Sequence, residues 1–221
     1  MSIPEAVLWD MDGVLADTTS LHFATWEQTL NKYGLPFDKQ KFKYIYGLKN
    51  HDLLPRLLGK TVDHDWVEQV AAQKELAFRQ ALLGQLHTLP GVEEWLRRFT
   101  AWNCKQAVAS SAPPENVETL VDELGIRKYF TALVTPGSLP GKPDPAVFLL
   151  AARQLDAAPQ SCLVIEDSIP GVEAAHLAKM KCIAVTTTNP PEALNKADLI
   201  VETLAQLTIE QVTSIFQGTQ G

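Results

Sequence analysis

Beyond residue 105 the chain alternates short apolar runs with segments whose hydrophobic positions recur at helical spacing. The runs Gln106 to Ser110, Ala132 to Thr135, Cys162 to Glu166, Cys182 to Val185 and Leu199 to Val201 predict strands. Between them Glu115 to Leu124, Ala146 to Leu155 and Gly171 to Met180 predict amphipathic helices. Strands of this length separated by helices of about ten residues imply a parallel sheet covered on both faces. Adding the run Ala6 to Asp10 gives a doubly wound, Rossmann-like α/β fold.

The stretch 17–85 breaks that rhythm. It shows no convincing strand, whereas Phe23, Trp26, Leu30 and Tyr33 follow helical spacing, as do Leu53, Leu54, Leu57 and Leu58, and Val67, Val70, Ala71, Lys74 and Phe78. We therefore expect an α/β core of residues 1–16 and 86–221 with an all-α insertion of residues 17–85. The core resumes near Leu89-Pro90-Gly91, where a helix from Val92 to Ala101 begins behind proline and glycine. The chain carries no internal repeat and no low-complexity tract.

With 221 residues, 46% of them hydrophobic, the chain can bury a sizeable core. Its apolar runs fall well short of the roughly 20 residues a membrane span needs. Met1-Ser2-Ile3-Pro4-Glu5 has no basic n-region and leads straight into the first strand, so we expect a cytoplasmic protein without a signal peptide or membrane association. The net charge of −7 disfavours nucleic acid or acidic lipid, which attract basic surfaces, and leaves a small molecule as the expected partner of a monomer. Cys104, Cys162 and Cys182 are odd in number, widely spaced and set in or beside apolar segments, which suits buried free thiols better than disulfides or a zinc site.

Chemistry-bearing residues gather at predicted strand ends. Asp10 and Asp12 close the first strand, where open parallel sheets place their ligands. Two residues apart, they can point the same way, one carboxylate attacking phosphorus and the other shuttling a proton. Asp-x-Asp-Gly also suits a turn, while a calcium loop is excluded by the apolar Val14-Leu15-Ala16 that follows. Ser110 and Ser111 end the second core strand as a candidate phosphate cradle, with Ser111 equally suited to cap the next helix. Lys142, fixed between Gly141 and Pro143, could aim one ammonium at a phosphoryl group, although most loop lysines are simply solvated. Glu166 and Asp167 end the very apolar run Cys162 to Ile165, and adjacent buried acids repel unless a cation or donor offsets them. Asp167 or Ser168 also suits a helix cap. Together, the acids, hydroxyl and lysine suggest Mg²⁺-dependent phosphoryl transfer.

In order and placement, these motifs resemble those of the haloacid dehalogenase superfamily of phosphotransferases over essentially the whole chain. The helical insertion resembles that family's cap, and the nearest branch is that of the β-phosphoglucomutases and sugar-phosphate phosphatases. The resemblance implies Asp10 as a nucleophile that becomes a phosphoaspartate, Asp12 as general acid/base, and Ser110, Ser111 and Lys142 as phosphate-binding residues. It also implies Mg²⁺ held by the Asp10 carboxylate, the Asp12 backbone carbonyl and Asp167, with Glu166 at or just behind them. Magnesium takes oxygen ligands and retains waters, which suits such a set.

Two other classes fit less well. A phospho-accepting signalling receiver accepts phosphate on a later strand and has no inserted cap, and a non-catalytic binding protein has no feature in its favour. The namesake dehalogenation would leave Asp12 and Asp167 unexplained. Within the family, Thr18, His22 and Lys74 match cap and hinge positions of β-phosphoglucomutases, although a half-buried structural histidine is common. Asn50 stands where those mutases carry an arginine that grips phosphate, with Lys49 beside it. The expectation is a Mg²⁺-dependent phosphohydrolase acting on a small-molecule phosphate ester, a sugar phosphate by resemblance, with β-phosphoglucomutase as the alternative.

Overall fold

The computed structural model describes residues 3–45, 50–84 and 86–217, with backbone alone at 43–45 and 50–52. The chain divides into two compact units, Met1–Asp17 with His87–Gly221, and Thr18–Leu86.

The larger unit is built on six parallel strands: β1 (Ala6–Trp9), β2 (Lys105–Ala109), β3 (Ala132–Val134), β4 (Cys162–Glu166), β5 (Lys181–Val185) and β6 (Leu199–Val201). Their order across the sheet is β3-β2-β1-β4-β5-β6. Every residue of β1 and β4 is buried, which explains why these central strands read as unbroken apolar runs rather than alternating ones. Alternation still assigns their faces. Ala6 and Leu8 join Val164, Phe148 and Val172 in one hydrophobic cluster. Trp9 instead meets Phe99 edge to face, with ring centroids 6.0 Å apart. Its indole N–H donates to Gln106 Oε1 at 3.1 Å, and Gln106 Nε2 donates to Leu96 O and Thr100 Oγ1, so this buried polar pair is satisfied.

In the same unit, helices over Val92–Ala101, Pro114–Glu123, Ala146–Gln154 and Ile169–Leu177 cover the sheet. Val92–Ala101 and the last two take opposite faces, as Trp9 against Phe99 and Leu8 with Phe148 and Val172 indicate, and the right-handed β2–β3 crossover puts Pro114–Glu123 on the face of the first. Most expected elements match to within a residue or two. The exception is the helix expected over Gly171 to Met180, which runs Ile169–Leu177: it starts earlier because Ser168 caps it, its hydroxyl accepting from Gly171 N at 3.1 Å, and it ends three residues sooner. The three cysteines are buried free thiols. Burial pushes the Cys104 and Cys162 thiols up to about 11 and Cys182 well above its ordinary value, so they have little thiolate character near neutrality.

Within its described residues the smaller unit is helical, with segments Thr19–Lys32, Lys39–Ile45, Asn50–Leu58 and His64–Leu82. Trp26, Leu30, Phe37, Phe42, Leu53, Leu54, Val67 and Val70 form its own hydrophobic core, which accounts for the helical spacing of those positions in the sequence. Among the described residues no helix is long and apolar enough to cross a membrane.

Candidate active site

The strand order reverses direction between β1 and β4, and the crevice beyond their carboxyl ends is where such sheets bind ligands. The register pairs Trp9 with Ile165, and Asp10 N donates to Ile165 O at 2.9 Å, so the backbone sets Asp10 beside Glu166. Lys142 enters from the loop between β3 and the helix Ala146–Gln154. Its ammonium lies 2.5 Å from Asp10 Oδ1 and 2.6 Å from Glu166 Oε1, and 4.7 Å from the Phe148 ring. Far from being a solvated loop lysine, it is a buried cation bridging two buried acids.

Glu166 uses both carboxylate oxygens on the protein. Oε1 takes Lys142, while Oε2 accepts from Asp167 N, Ser168 N and the Ser168 hydroxyl at 2.8–2.9 Å. That saturation makes it a holder of Lys142 and of the turn after β4 rather than a donor with oxygens to spare. Gly171 permits the arrangement, because a Cβ there would lie 1.7 Å from Glu166 Oε1. A Gly→Ala change inside a helix ordinarily stabilises by roughly 0.5–1 kcal/mol. Here the sign is expected to reverse: Gly171→Ala should destabilise by about 1–3 kcal/mol, the usual cost of overpacking, and displace Lys142 as well. Urea unfolding midpoints and turnover of the same variant check both effects.

Asp167 is held from two other segments. Its Oδ2 accepts from the Thr188 hydroxyl at 2.5 Å, and its backbone carbonyl accepts from Asn189 Nδ2 at 3.1 Å. Gly13, with φ +81°, presses against the same oxygen, so close that a Cβ would sit 2.0 Å from Asp167 Oδ2. Both its backbone conformation and this contact require glycine.

Oxygen atoms of Asp10, Glu166 and Asp167 converge within 4.8 Å of one another, with one ammonium among them. The Asp10 carboxyl is raised to about 7, because burial and, less strongly, the neighbouring charges of Glu166 and Asp12 outweigh the pull of Lys142 in the other direction. Asp167 is raised well above the usual carboxylate range, first by burial and then by Glu166 and Asp10. Burial also works against the Lys142 ammonium, but the charges of Asp10 and Glu166 outweigh it and hold the lysine above its ordinary value. The acids are thus under-neutralised by the protein alone. A divalent cation with a preference for carboxylate oxygen fits this donor set on chemical grounds.

Ser110, also buried, follows β2, its N–H donating to Val134 O at 3.1 Å and its hydroxyl accepting from Ala112 N at 3.1 Å. Ser111 does not cap the next helix, whose N-cap position is Pro113 with no side-chain bond. Asp12 is half-buried in a tight loop closed by the bond from Gly13 N to Ala16 O at 2.8 Å, and its carboxylate is not one of the three that converge.

Against known proteins, the family model of the haloacid dehalogenase-like hydrolases matches residues 4–179. The chain belongs to this family. It is 32% identical to the β-phosphoglucomutase of Bacillus subtilis, over 93% of this chain and 92% of that one. It is also 32% identical to a phosphorylated carbohydrates phosphatase of Thermotoga maritima, over 89% and 92%. A third relative at 32% identity, the chloroplastic 5-amino-6-(5-phospho-D-ribitylamino)uracil phosphatase of Arabidopsis thaliana, matches over 91% of this chain, which spans 55% of its length. Among solved structures, the β-phosphoglucomutase of Clostridium difficile superposes with a TM-score of 0.87 at 27% identity, covering 97% of both chains. The doubly wound sheet is the fold of haloacid dehalogenase-like enzymes, and this chain is an enzyme of that kind.

For this haloacid dehalogenase-like hydrolase the remaining expected residues lie in the helical unit. Thr18 is buried just ahead of the helix Thr19–Lys32. His22 Nδ1 lies 2.8 Å from Lys74 Nζ, and the His22 ring stacks on Phe78 at 4.0 Å. Lys74 is buried, donating to Glu75 at 3.1 and 3.2 Å and sitting over the Trp26 and Phe78 rings. Asn50 opens the helix Asn50–Leu58, but its side chain, like all of Lys49, is outside the described residues.

Thr188 and Asn189 were not among the expected site residues. The signal available was position alone: the polar run Thr186-Thr187-Thr188-Asn189 follows β5, the strand next to β4, and so falls on the same edge of the sheet.

Proposed function

We propose that this enzyme is a Mg²⁺-dependent phosphohydrolase acting on a small phosphate ester, a sugar phosphate in particular, through a phosphoaspartate at Asp10. The observation that carries the reading is the buried Asp10–Lys142–Glu166 bridge beside Asp167, at the carboxyl ends of β1 and β4. Sugar phosphates are supported by the names of two of the three relatives at 32% identity, the β-phosphoglucomutase and the phosphorylated carbohydrates phosphatase.

In this mechanism a carboxylate oxygen of Asp10 attacks phosphorus and the ester P–O bond breaks. Asp12 gives its proton to the departing sugar oxygen. Water then attacks the phosphoaspartate, Asp12 takes a proton from it, and phosphate leaves with the Asp10 carboxylate restored. Lys142 and Ser110 bind the phosphoryl oxygens, Ser111 adds donors at the same edge, and Glu166 keeps the ammonium aimed. Asp10, Asp167 and the Asp12 carbonyl would hold the Mg²⁺, which supplies Lewis-acid neutralisation of the phosphoryl charge. By resemblance to the family, the smaller helical unit, residues 17–85 by sequence, serves as its cap, with Thr18, His22, Asn50 and Lys74 as the residues proposed to recognise substrate.

The test is a Mg²⁺-dependent screen of phosphate esters, read as released phosphate, beside a coupled assay for isomerisation of β-glucose 1-phosphate. Phosphate release from several sugar phosphates is expected. Isomerisation to glucose 6-phosphate with little phosphate release would overturn the hydrolase assignment in favour of a β-phosphoglucomutase, the reading favoured by the Bacillus subtilis relative.

Asparagine at position 50 tilts the choice toward hydrolysis. A guanidinium can grip the distal phosphate of a bisphosphorylated sugar through two charge-assisted bonds, each worth about 1.5–3 kcal/mol, and an amide cannot. Without that grip the dephosphorylated sugar escapes and water reaches the phosphoaspartate. Asn50→Arg is therefore expected to raise the ratio of isomerised sugar to free phosphate measured in one reaction. An unchanged ratio would count against the role given to this position.

A further inference from the structure

Asp167 is aimed by a short relay from the loop after β5. The Asn189 side chain donates from Nδ2 to Thr188 Oγ1 at 3.0 Å and to the Asp167 carbonyl at 3.1 Å. The Thr188 hydroxyl lies 2.5 Å from Asp167 Oδ2 and 3.2 Å from the Asp167 carbonyl. A threonine has one hydroxyl proton, and the shorter contact takes it. Thr188 thus accepts from Asn189 and donates to Asp167, a head-to-tail chain in which each bond polarises the next. Gly13 crowds the same carboxylate oxygen and the Thr188 methyl beside it: a Cβ on Gly13 would lie 2.0 Å from Asp167 Oδ2 and 3.2 Å from Thr188 Cγ2. The Thr188 hydroxyl bonds Oδ2 and Gly13 packs against that same oxygen, so these two neighbours fix how the carboxylate is turned, with an Asp167 oxygen in the acidic cluster.

We infer that Thr188, supported by Asn189, is a positioning residue that orients Asp167 toward the divalent cation and sets the affinity of the site for it. The inference rests on the Mg²⁺ reading of the cluster and deepens it. Partners behind a metal-binding carboxylate act in this way, and losing one costs roughly 10–100-fold in metal affinity.

The experiment titrates MgCl₂ calorimetrically into the substrate-free protein, for the wild type, Thr188→Val, Thr188→Ser and Asn189→Ala. Valine keeps the shape of threonine and removes the hydroxyl. Thr188→Val is expected to weaken Mg²⁺ binding about 10-fold or more and to raise the Mg²⁺ concentration for half-maximal turnover in step, with kcat at saturating Mg²⁺ changed far less. Serine keeps the donor and should bind within a few-fold of the wild type, and Asn189→Ala should fall between them. Thermal melts establish that each variant is folded. Wild-type affinity in Thr188→Val, or equal loss in the serine variant, would overturn the inference while leaving the Mg²⁺ reading intact. If Thr188→Val does not fold, Asn189→Ala decides, and its undiminished affinity overturns the inference. A wild type that binds no Mg²⁺ at all would sink the metal reading itself, and the inference with it.

Discussion

Asp10→Asn is expected to lower phosphate-ester turnover by on the order of 10⁴-fold or more, the scale on which loss of a nucleophile acts. The amide has nearly the same shape but no anionic oxygen to attack phosphorus, so an activity collapse would report the chemistry rather than a hole in the fold. Stability supplies the contrast. Burial holds the Asp10 carboxyl at about 7, which means the folded protein disfavours the charge that the reaction needs. The amide removes that charge and can still accept from Lys142. Its unfolding midpoint is therefore expected to hold or rise while kcat falls. Turnover and thermal melts on one preparation check both halves. Near-normal turnover in Asp10→Asn would exclude covalent catalysis at this residue.

Much of that site could be read before any geometry was known, and the reason is the sheet. In a parallel sheet every strand's carboxyl end lies on one edge, so locating the apolar runs around Ala6, Gln106 and Cys162 already gathers Asp10, Ser110 and Glu166. Register does the rest, pairing Trp9 with Ile165 and leaving the acids side by side. What the sequence left open depends on how side chains are aimed. Lys142 sits in a loop, and nothing local says whether a loop lysine reaches inward. Only the position of two acids, 132 and 24 residues away, makes its burial favourable. Glu166 and Asp167 look equivalent as neighbours in sequence, yet one spends its oxygens on four donors while the other is held through Thr188.

Helix punctuation misled in one place and left two readings open in another. Gly171 reads as the beginning of a helix, although it lies inside one that starts at Ile169. Its lack of a side chain serves the Glu166 carboxylate packed against it, and the capping is done by Ser168. Ser111 suited a cap or a ligand role, and Pro113 occupies the cap position instead. In the helical unit the periodic residues proved to be a core, but the spacing that puts Lys74 on the buried face could not show that an ammonium there finds His22, Glu75 and two aromatic rings.

Chelation of divalent cations is expected to reduce turnover by at least about 10³-fold, since a bound metal contributes several kcal/mol of charge stabilisation to phosphoryl transfer. Without the cation, Asp10, Glu166 and Asp167 face an anionic substrate with Lys142 as the one ammonium bonded among them in the described residues. The fold is expected to survive the same treatment, because the core is hydrophobic and the acids have another way to shed charge. Burial and mutual repulsion raise Asp10 and Asp167, so near neutrality the metal-free cluster can take up protons in place of a cation. Excess EDTA should therefore abolish phosphate release while leaving far-UV circular dichroism unchanged, and added MgCl₂ should restore the rate. Full activity in excess chelator would refute the metal requirement, whereas unfolding on chelation would assign the cation a structural role that this hydrophobic core gives no reason to expect.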